Sequence, residues 1–284
     1  MTPLLPGYGP QMSQTELVKI STYVEREFGI KMPRLKRHLL EGRLAKRLAA
    51  CGIPSYGEYF EHITTSPAGR DEFLRFVNLV STHETSFFRE AKHFQLLVET
   101  VLPAWCRQKR RKSIRILSAA CSTGEEAYTL VMLTNQAILD SRRTDLTFTV
   151  EGLDLSSEAI SVATRGVYAE TRTTAIPPDL RHRYLMRSKD LKRGLYRIVP
   201  GLRRCMEFHT GNLLYSNALH ANRYDLIFCR NVLIYFTPNV QERVVTNLVA
   251  HMGAASILFL GHSETMAGKN LPLRAISPAV FQLQ

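Results

Sequence analysis

The residues best suited to chemistry gather in one stretch, Ile114 to Tyr128. Ile114, Ile116 and Leu117 make a short β-branched and apolar strand, small residues follow from Ser118 to Thr123, and Gly124 ends the turn. Beyond it, Ala127, Leu130, Val131, Thr134 and Ile138 recur at helical spacing, so Glu125 to Asp140 reads as a helix. Small side chains let backbone come close to a ligand, and free N–H groups at a helix start favour an anion there. Strand, tight turn and helix together form the opening of a nucleotide-binding α/β sheet. Gly124 is the turn's only glycine, which departs from Gly-x-Gly-x-x-Gly, and no Lys-Ser or Lys-Thr follows it as in a Walker A loop. On this stretch alone an ordinary βα turn stays open as the other reading.

A second group favours a nucleoside. Phe148 to Asp154 reads as a strand ending in an acid, and Ser156 or Ser157 caps a helix running to Arg165. An aspartate closing the second strand is placed to take both hydroxyls of a ribose. Asp154 stands 30 residues after Gly124. The dinucleotide fingerprint usually spans ~20, and the long intervening helix absorbs the difference.

The elements that must position these groups follow from composition and pattern. The 284 residues, 45% of them hydrophobic, suffice for one large or two modest domains. No apolar run approaches the ~20 residues of a membrane-spanning helix. The N-terminal residues 1–12 are rich in proline and glycine, lack the apolar core of a signal peptide and read as a loose tail. Five cysteines without C-x-x-C spacing fit reduced, cytoplasmic, structural thiols, and no metal site is expected. The formal charge of +12 predicts affinity for something acidic: nucleic acid, lipid or protein.

Helix-spaced apolar residues in Leu17 to Phe28, Tyr56 to Thr64 and Asp71 to Val80 predict an all-helical domain over 13–80. Between them, Lys31 to Arg47 carries seven Lys or Arg against Glu41. Pro33 is placed to open a helix here, with an apolar stripe of Leu40, Leu44 and Leu48 beside a cationic stripe of Lys36, Arg43 and Arg47. That pattern suits a surface helix presenting charge to a partner, or a merely solvated face. Residues 81–94 form a linker whose paired aromatics, Phe87 and Phe88, suggest that it folds against something. Strands alternate with helices through 95–284, with Tyr224 to Asn231, Ser256 to Leu260 and Ala279 to Leu283 as later strands. Residues 166–210 interrupt the alternation as a basic insertion, in which Leu195 to Val199 and Arg204 to Phe208 are expected to pair as an antiparallel unit.

Taken in order, His83 to Arg89, Ser118 to Glu126, Asp154, Asn212-Leu213, Cys229 to Phe236 and Gly261 to Glu264 resemble the bacterial chemotaxis receptor methyltransferases. The resemblance implies a Rossmann-like α/β methyltransferase domain with a small antiparallel β-subdomain, preceded by a helical domain. It implies transfer of a methyl group from S-adenosylmethionine to chemoreceptor glutamates, by a cytoplasmic and monomeric enzyme. By similarity Thr85, Arg89 and Glu126 hold the methionyl end, Asp154 the ribose, Asn212 and Leu213 the adenine, and Arg230 and Asn231 line the pocket. His83 stands where the family usually has asparagine and is kept at the cofactor. Arg89 and Tyr235 are the residues expected to orient the reacting groups, and Arg43, Lys46 and Arg47 those expected to meet the acidic methylation helices of the receptor. His262 and Trp105 are assigned to packing or loop support. A receptor C-terminal tether is not expected, because the turn from Arg187 to Gly194 is bulky and charged. The rival readings are a nucleic-acid methyltransferase and a non-catalytic regulator that binds S-adenosylmethionine.

Overall fold

A computed structural model describes residues 10–32, 37–219, 223–264 and 271–284. The chain forms two compact units, one of Met1–Thr82 with Tyr235–Val240, the other of His83–Ile234 with Gln241–Gln284.

In the first unit, α1 (Gln14–Phe28) begins with a capping box between Ser13 and Glu16 and ends at Gly29, whose φ of 73° is left-handed. It buries Leu17, Ile20, Val24 and Phe28. Three further helices follow, α2 (Arg37–Cys51), α3 (Tyr56–Thr65) and α4 (Arg70–Val80). The expected apolar stripe of α2 is buried, with Leu40, Leu44 and Leu48 at 2% exposure or less. Pro33 and Lys36, expected at its start, lie outside the described residues.

The cationic stripe beside it requires a correction. Arg47 donates from Nε and Nη2 to the two carboxylate oxygens of buried Glu72 at 2.8 and 2.7 Å, and Tyr59 donates its hydroxyl to the same carboxylate at 2.9 Å. Arg43 donates to the carbonyls of Leu79 and Ser81 at 2.9 and 3.4 Å, closing the C-terminal end of α4. Both side chains are thus bonded inside the unit, whereas Lys46 is exposed. Helical periodicity places a stripe on a face; it does not say that another helix will bring a carboxylate or a free carbonyl to it.

The second unit opens with α5 (Ala91–Leu96), which runs through a π-turn (Leu97–Val101) into α6 (Leu102–Arg107). Then come β1 (Ser113–Ala119), α7 (Glu125–Asp140), β2 (Thr147–Asp154) and α8 (Ser157–Arg165). The insertion holds β3 (Val167–Ala169), α9 (Pro178–Tyr184), β4 (Leu185–Arg187), β5 (Leu195–Ile198) and α10 (Pro200–Arg203). The chain finishes with β6 (Met206–Thr210), β7 (Tyr224–Cys229), α11 (Pro238–Ala250), β8 (Met252–Leu260), β9 (Leu273–Ser277) and β10 (Val280–Leu283).

Seven strands form one sheet in the order β6-β2-β1-β7-β8-β10-β9. The first five are parallel and β10 is antiparallel to both neighbours. The order reverses between β1 and β7, the switch point at which open α/β sheets bind ligands outside the strands' carboxyl ends. Beneath that point Phe228 stacks on Phe94 and Phe259 at 5.5 and 4.4 Å between ring centres.

The insertion also departs from expectation. Leu195–Ile198 does not pair with the strand after it. β5 is the centre of a separate sheet, β3-β5-β4, while Met206–Thr210 joins the main sheet in parallel with β2. Pro200 opens the short helical turn α10 between them, which carries the chain from one sheet to the other. Two alternating segments close in sequence mimic a hairpin; the intervening turn is helical and cannot close one.

Candidate active site

The loop after β1 is held in an unusual backbone geometry. Ala120, Ser122 and Gly124 are left-handed, at φ of 61°, 51° and 93°. For Gly124 a Cβ would also sit 2.8 Å from the Ala163 Cβ, so the turn needs glycine for space as well as angle. The loop is tied down by its neighbours. Ser122 N–H donates to Asp154 Oδ2 at 2.8 Å, its hydroxyl donates to the His83 carbonyl at 3.0 Å, and Cys121 N–H donates to the Leu153 carbonyl at 2.9 Å. Asp154 Oδ1 accepts from Ser156 N–H at 2.9 Å. Burial pushes the Asp154 carboxyl above its usual range, and these backbone N–H groups oppose the shift.

Arg230, directly after β7, is the hub of a second network. Its buried guanidinium donates to the Arg89 carbonyl at 2.5 Å and pairs with Glu90 at 3.0 Å and Glu126 at 3.2 Å. It also lies 5.2 and 5.6 Å from the ring centres of Phe94 and Phe228. Glu126 accepts from the Ser118 hydroxyl at 2.8 Å; burial raises its pKa and Arg230 works against that. Arg89 donates from Nη1 to the Glu84 carbonyl at 2.7 Å.

Asn231 is left-handed too, at φ 59°, and donates its side-chain amide to Glu90 Oε1 at 2.8 Å. Its backbone N–H reaches Glu264 at 3.1 Å, and Glu264 also accepts from Leu233 and Gly261 at 2.7 and 2.6 Å. Gly261 has no room for a Cβ, which would lie 2.8 Å from Glu264 Oε2 and 2.9 Å from Asn231 N.

Two hydrogen-bonded networks, one holding His83 and Asp154 and the other Arg89, Glu126, Arg230 and Asn231, therefore lie at the carboxyl ends of β1, β2 and β7. Asn212 and Leu213 follow β6 next to them. Gly211 N–H donates to the Asp154 carbonyl at 2.8 Å, Asn212 Oδ1 accepts from Leu214 N–H at 3.0 Å, and the Leu213 carbonyl accepts from Asn247 at 3.2 Å. Thr85 is half-buried in the linker. Tyr235 belongs to the helical unit, where its carbonyl accepts from Lys31 N–H at 2.8 Å.

Glu90 and Glu264 bind the site together without having been given a role from sequence. Glu90 directly follows the His83 to Arg89 motif and Glu264 closes the Gly261 to Glu264 motif; an acid at the edge of such a run is the signal that could have found them. Glu90 also faces His93 and His262, whose nitrogens lie 3.5 and 3.8 Å from its Oε2. The two rings lie 4.5 Å apart between centres and are tilted by 33°. Burial lowers the His93 pKa to about 4, keeping it neutral at pH 7.

Residues 83–280 match the family model "CheR methyltransferase, SAM binding domain", and residues 15–81 match "CheR methyltransferase, all-alpha domain". The chain belongs to the CheR methyltransferase family. A chemotaxis protein methyltransferase of Borreliella burgdorferi is 31% identical over 274 residues, covering 95% of each chain. Chemotaxis protein methyltransferase 1 of Pseudomonas aeruginosa is 34% identical over 256 residues, covering 88% of this chain and 89% of the relative. That of Escherichia coli is 31% identical over 257 residues, covering 90% and 86%.

This CheR-family chain is an S-adenosylmethionine-dependent methyltransferase. The donor set fits that cofactor: a buried carboxylate at the end of β2 suits a diol, a second one suits an ammonium, and the guanidinium groups suit a carboxylate. Among the described residues no helix is long and apolar enough to cross a membrane.

Proposed function

We infer that this protein transfers the methyl group of S-adenosylmethionine to glutamate side chains of chemoreceptors, forming methyl esters. The observation that carries the reading is the pairing of both family models, over nearly the whole chain, with a closed polar network at the sheet's switch point.

The bound cofactor supplies an electrophilic methyl carbon on a sulfonium. A glutamate with a pKa of about 4.3 is already an anion at neutral pH, so no general base is required. What the protein contributes is alignment and exclusion of water, and alignment can supply up to roughly 7–11 kcal/mol. We assign Thr85, Arg89 and Glu126 to the methionyl end, Asp154 to the ribose, and Asn212 and Leu213 to the adenine. His83, Arg230 and Asn231 complete the pocket, and Arg89 and Tyr235 orient the reacting groups. Arg230, fixed by two carboxylates and a carbonyl, supports this as a rigid floor.

For the receptor we assign contact to Lys46, the exposed cation of the three on α2. Arg43 and Arg47 then act through the shape of that face, since both are bonded within the unit. The enzyme acts as a monomer in the cytoplasm on the acidic methylation helices. A nucleic-acid substrate is disfavoured because the segment after β7 runs from Arg230 to Tyr235 without the Asp/Asn-Pro-Pro-Tyr loop of base-amino methylation.

Incubation with methyl-labelled S-adenosylmethionine and receptor-bearing membranes tests this. Base-labile label on the receptors is the expected result; label on nucleic acid, or none on the receptors, would overturn it.

A further inference from the structure

Glu125, which opens α7 directly after Gly124, is a buried charge outside the residues assigned above. Its side chain is fully buried. Glu125 Oε2 accepts from the Thr123 hydroxyl at 2.7 Å, and Oε1 forms an ion pair with Arg172. Arg172 comes from the turn after β3, in the inserted β-subdomain. It also donates to Thr123 Oγ1 at 3.1 Å and lies over the Tyr168 ring, 5.9 Å from its centre. Tyr168, on β3, donates its hydroxyl to the Thr123 carbonyl at 2.7 Å.

The loop from Ala120 to Gly124 is thus gripped from two sides. Asp154 and His83 hold Ser122, and the β-subdomain holds Thr123 and Glu125. Non-glycine residues in left-handed geometry persist only where the surroundings over-determine them, and Ala120 and Ser122 are two such residues. The loop leads directly into the start of α7 at the switch point, and a helix start favours an anion.

We propose that Arg172 is a positioning residue for the cofactor loop, acting through buried Glu125 and Thr123, and that the β-subdomain thereby sets the affinity for S-adenosylmethionine. A buried carboxylate that loses its cationic partner is more damaging than the loss of both, because the charge is left uncompensated. The Arg172–Glu125 pair should therefore show strong coupling in a double-mutant cycle.

The inference rests on the reading of this loop as part of the cofactor site, so Asp154→Ala is measured alongside. Calorimetry with S-adenosylmethionine is run on full-length wild type, Arg172→Ala, Glu125→Gln and the double variant Arg172→Ala/Glu125→Gln. Arg172→Ala should bind about tenfold more weakly or worse, as for loss of a charged hydrogen bond. The double variant should regain at least about threefold of that loss. In steady state the KM for S-adenosylmethionine should rise in Arg172→Ala while the KM for receptor does not. If Arg172→Ala does not fold, Arg172→Met, which keeps packing on Tyr168, takes its place with the same expectations. Unchanged affinity in the single variant, or a double variant as weak as the single, would overturn the proposal. Should Asp154→Ala bind normally, the site reading itself fails; should Asp154→Ala lose binding while Arg172→Ala does not, only the role of Arg172 fails.

Discussion

Arg230 illustrates how one side chain can organise a site. Its flat fork meets Glu90, Glu126 and the Arg89 carbonyl while its face rests against two phenylalanines. A lysine there has a point charge and no planar fork. Arg230→Lys is therefore expected to weaken S-adenosylmethionine binding about tenfold or more, at the scale of a charge-assisted bond, and calorimetry on the folded variant measures it. Asp154→Ala removes the carboxylate that also fixes Ser122, and loss of ~1.5–3 kcal/mol per charge-assisted bond is expected. Burial raises the carboxyls of both Asp154 and Glu126. A ligand bearing a sulfonium and an ammonium favours their ionised forms. Affinity should accordingly be full at neutral pH and fall as the pH drops through these raised values, starting above the usual carboxylate range. Calorimetry giving constant affinity from pH 7.5 down through the carboxylate range would remove both carboxylates from the contact.

At the scale of elements, the helical unit depends on Glu72 to join α2, α3 and α4. Burial alone would raise its carboxyl, but the Arg47 and Tyr59 hydrogen bonds hold it below the usual range. A depressed acid contributes stability above the unfolded pKa of about 4.3 and loses it as pH falls through the lower folded value. Acid unfolding of wild type should show this loss below about pH 4, and a Glu72→Gln variant should show a shallower acid dependence. Arg47→Glu leaves two carboxylates facing each other and is expected to cost about 3–5 kcal/mol in the helical unit, read from thermal unfolding. A slower receptor reaction in that variant would then report folding before it reported docking. Lys46→Glu is the cleaner test of substrate contact: receptor methylation should slow at low salt, with stability and cofactor affinity unchanged.

For the whole molecule, the net charge of +12 is the property that most directly meets an acidic partner. Exposed charges are screened within a Debye length of about 8–10 Å. Receptor methylation should fall steeply with added salt while binding of S-adenosylmethionine at the proposed pocket, whose Asp154 and Arg230 are buried, changes little. Equal salt sensitivity in the two measurements would argue that the surface charge does not steer the receptor. Tyr235, proposed to orient the reacting groups, lies in the segment counted with the helical unit. Tyr235→Phe is expected to lower kcat for receptor methylation more than it changes cofactor affinity.

Much of this was legible along the chain. Local pattern determined the β1 turn, the Asp154 strand end, the helices of the N-terminal unit and the buried face of α2, because each is set by neighbours within a few residues. The order of the motifs determined the family. Pairings between distant segments were decided only in three dimensions. Leu195–Ile198 finds β3 and β4 instead of the strand next to it because a proline-led turn redirects the chain. Arg43 and Arg47, adjacent to the apolar stripe in projection, meet a carbonyl end and a carboxylate supplied by α4. Glu90, Glu125 and Glu264 are ordinary acids in the sequence and become structural anchors only when Asn231, Arg172 and Leu233 arrive from far along the chain. Periodicity is a property of one element, whereas partnership belongs to two, and burial makes the second partner obligatory.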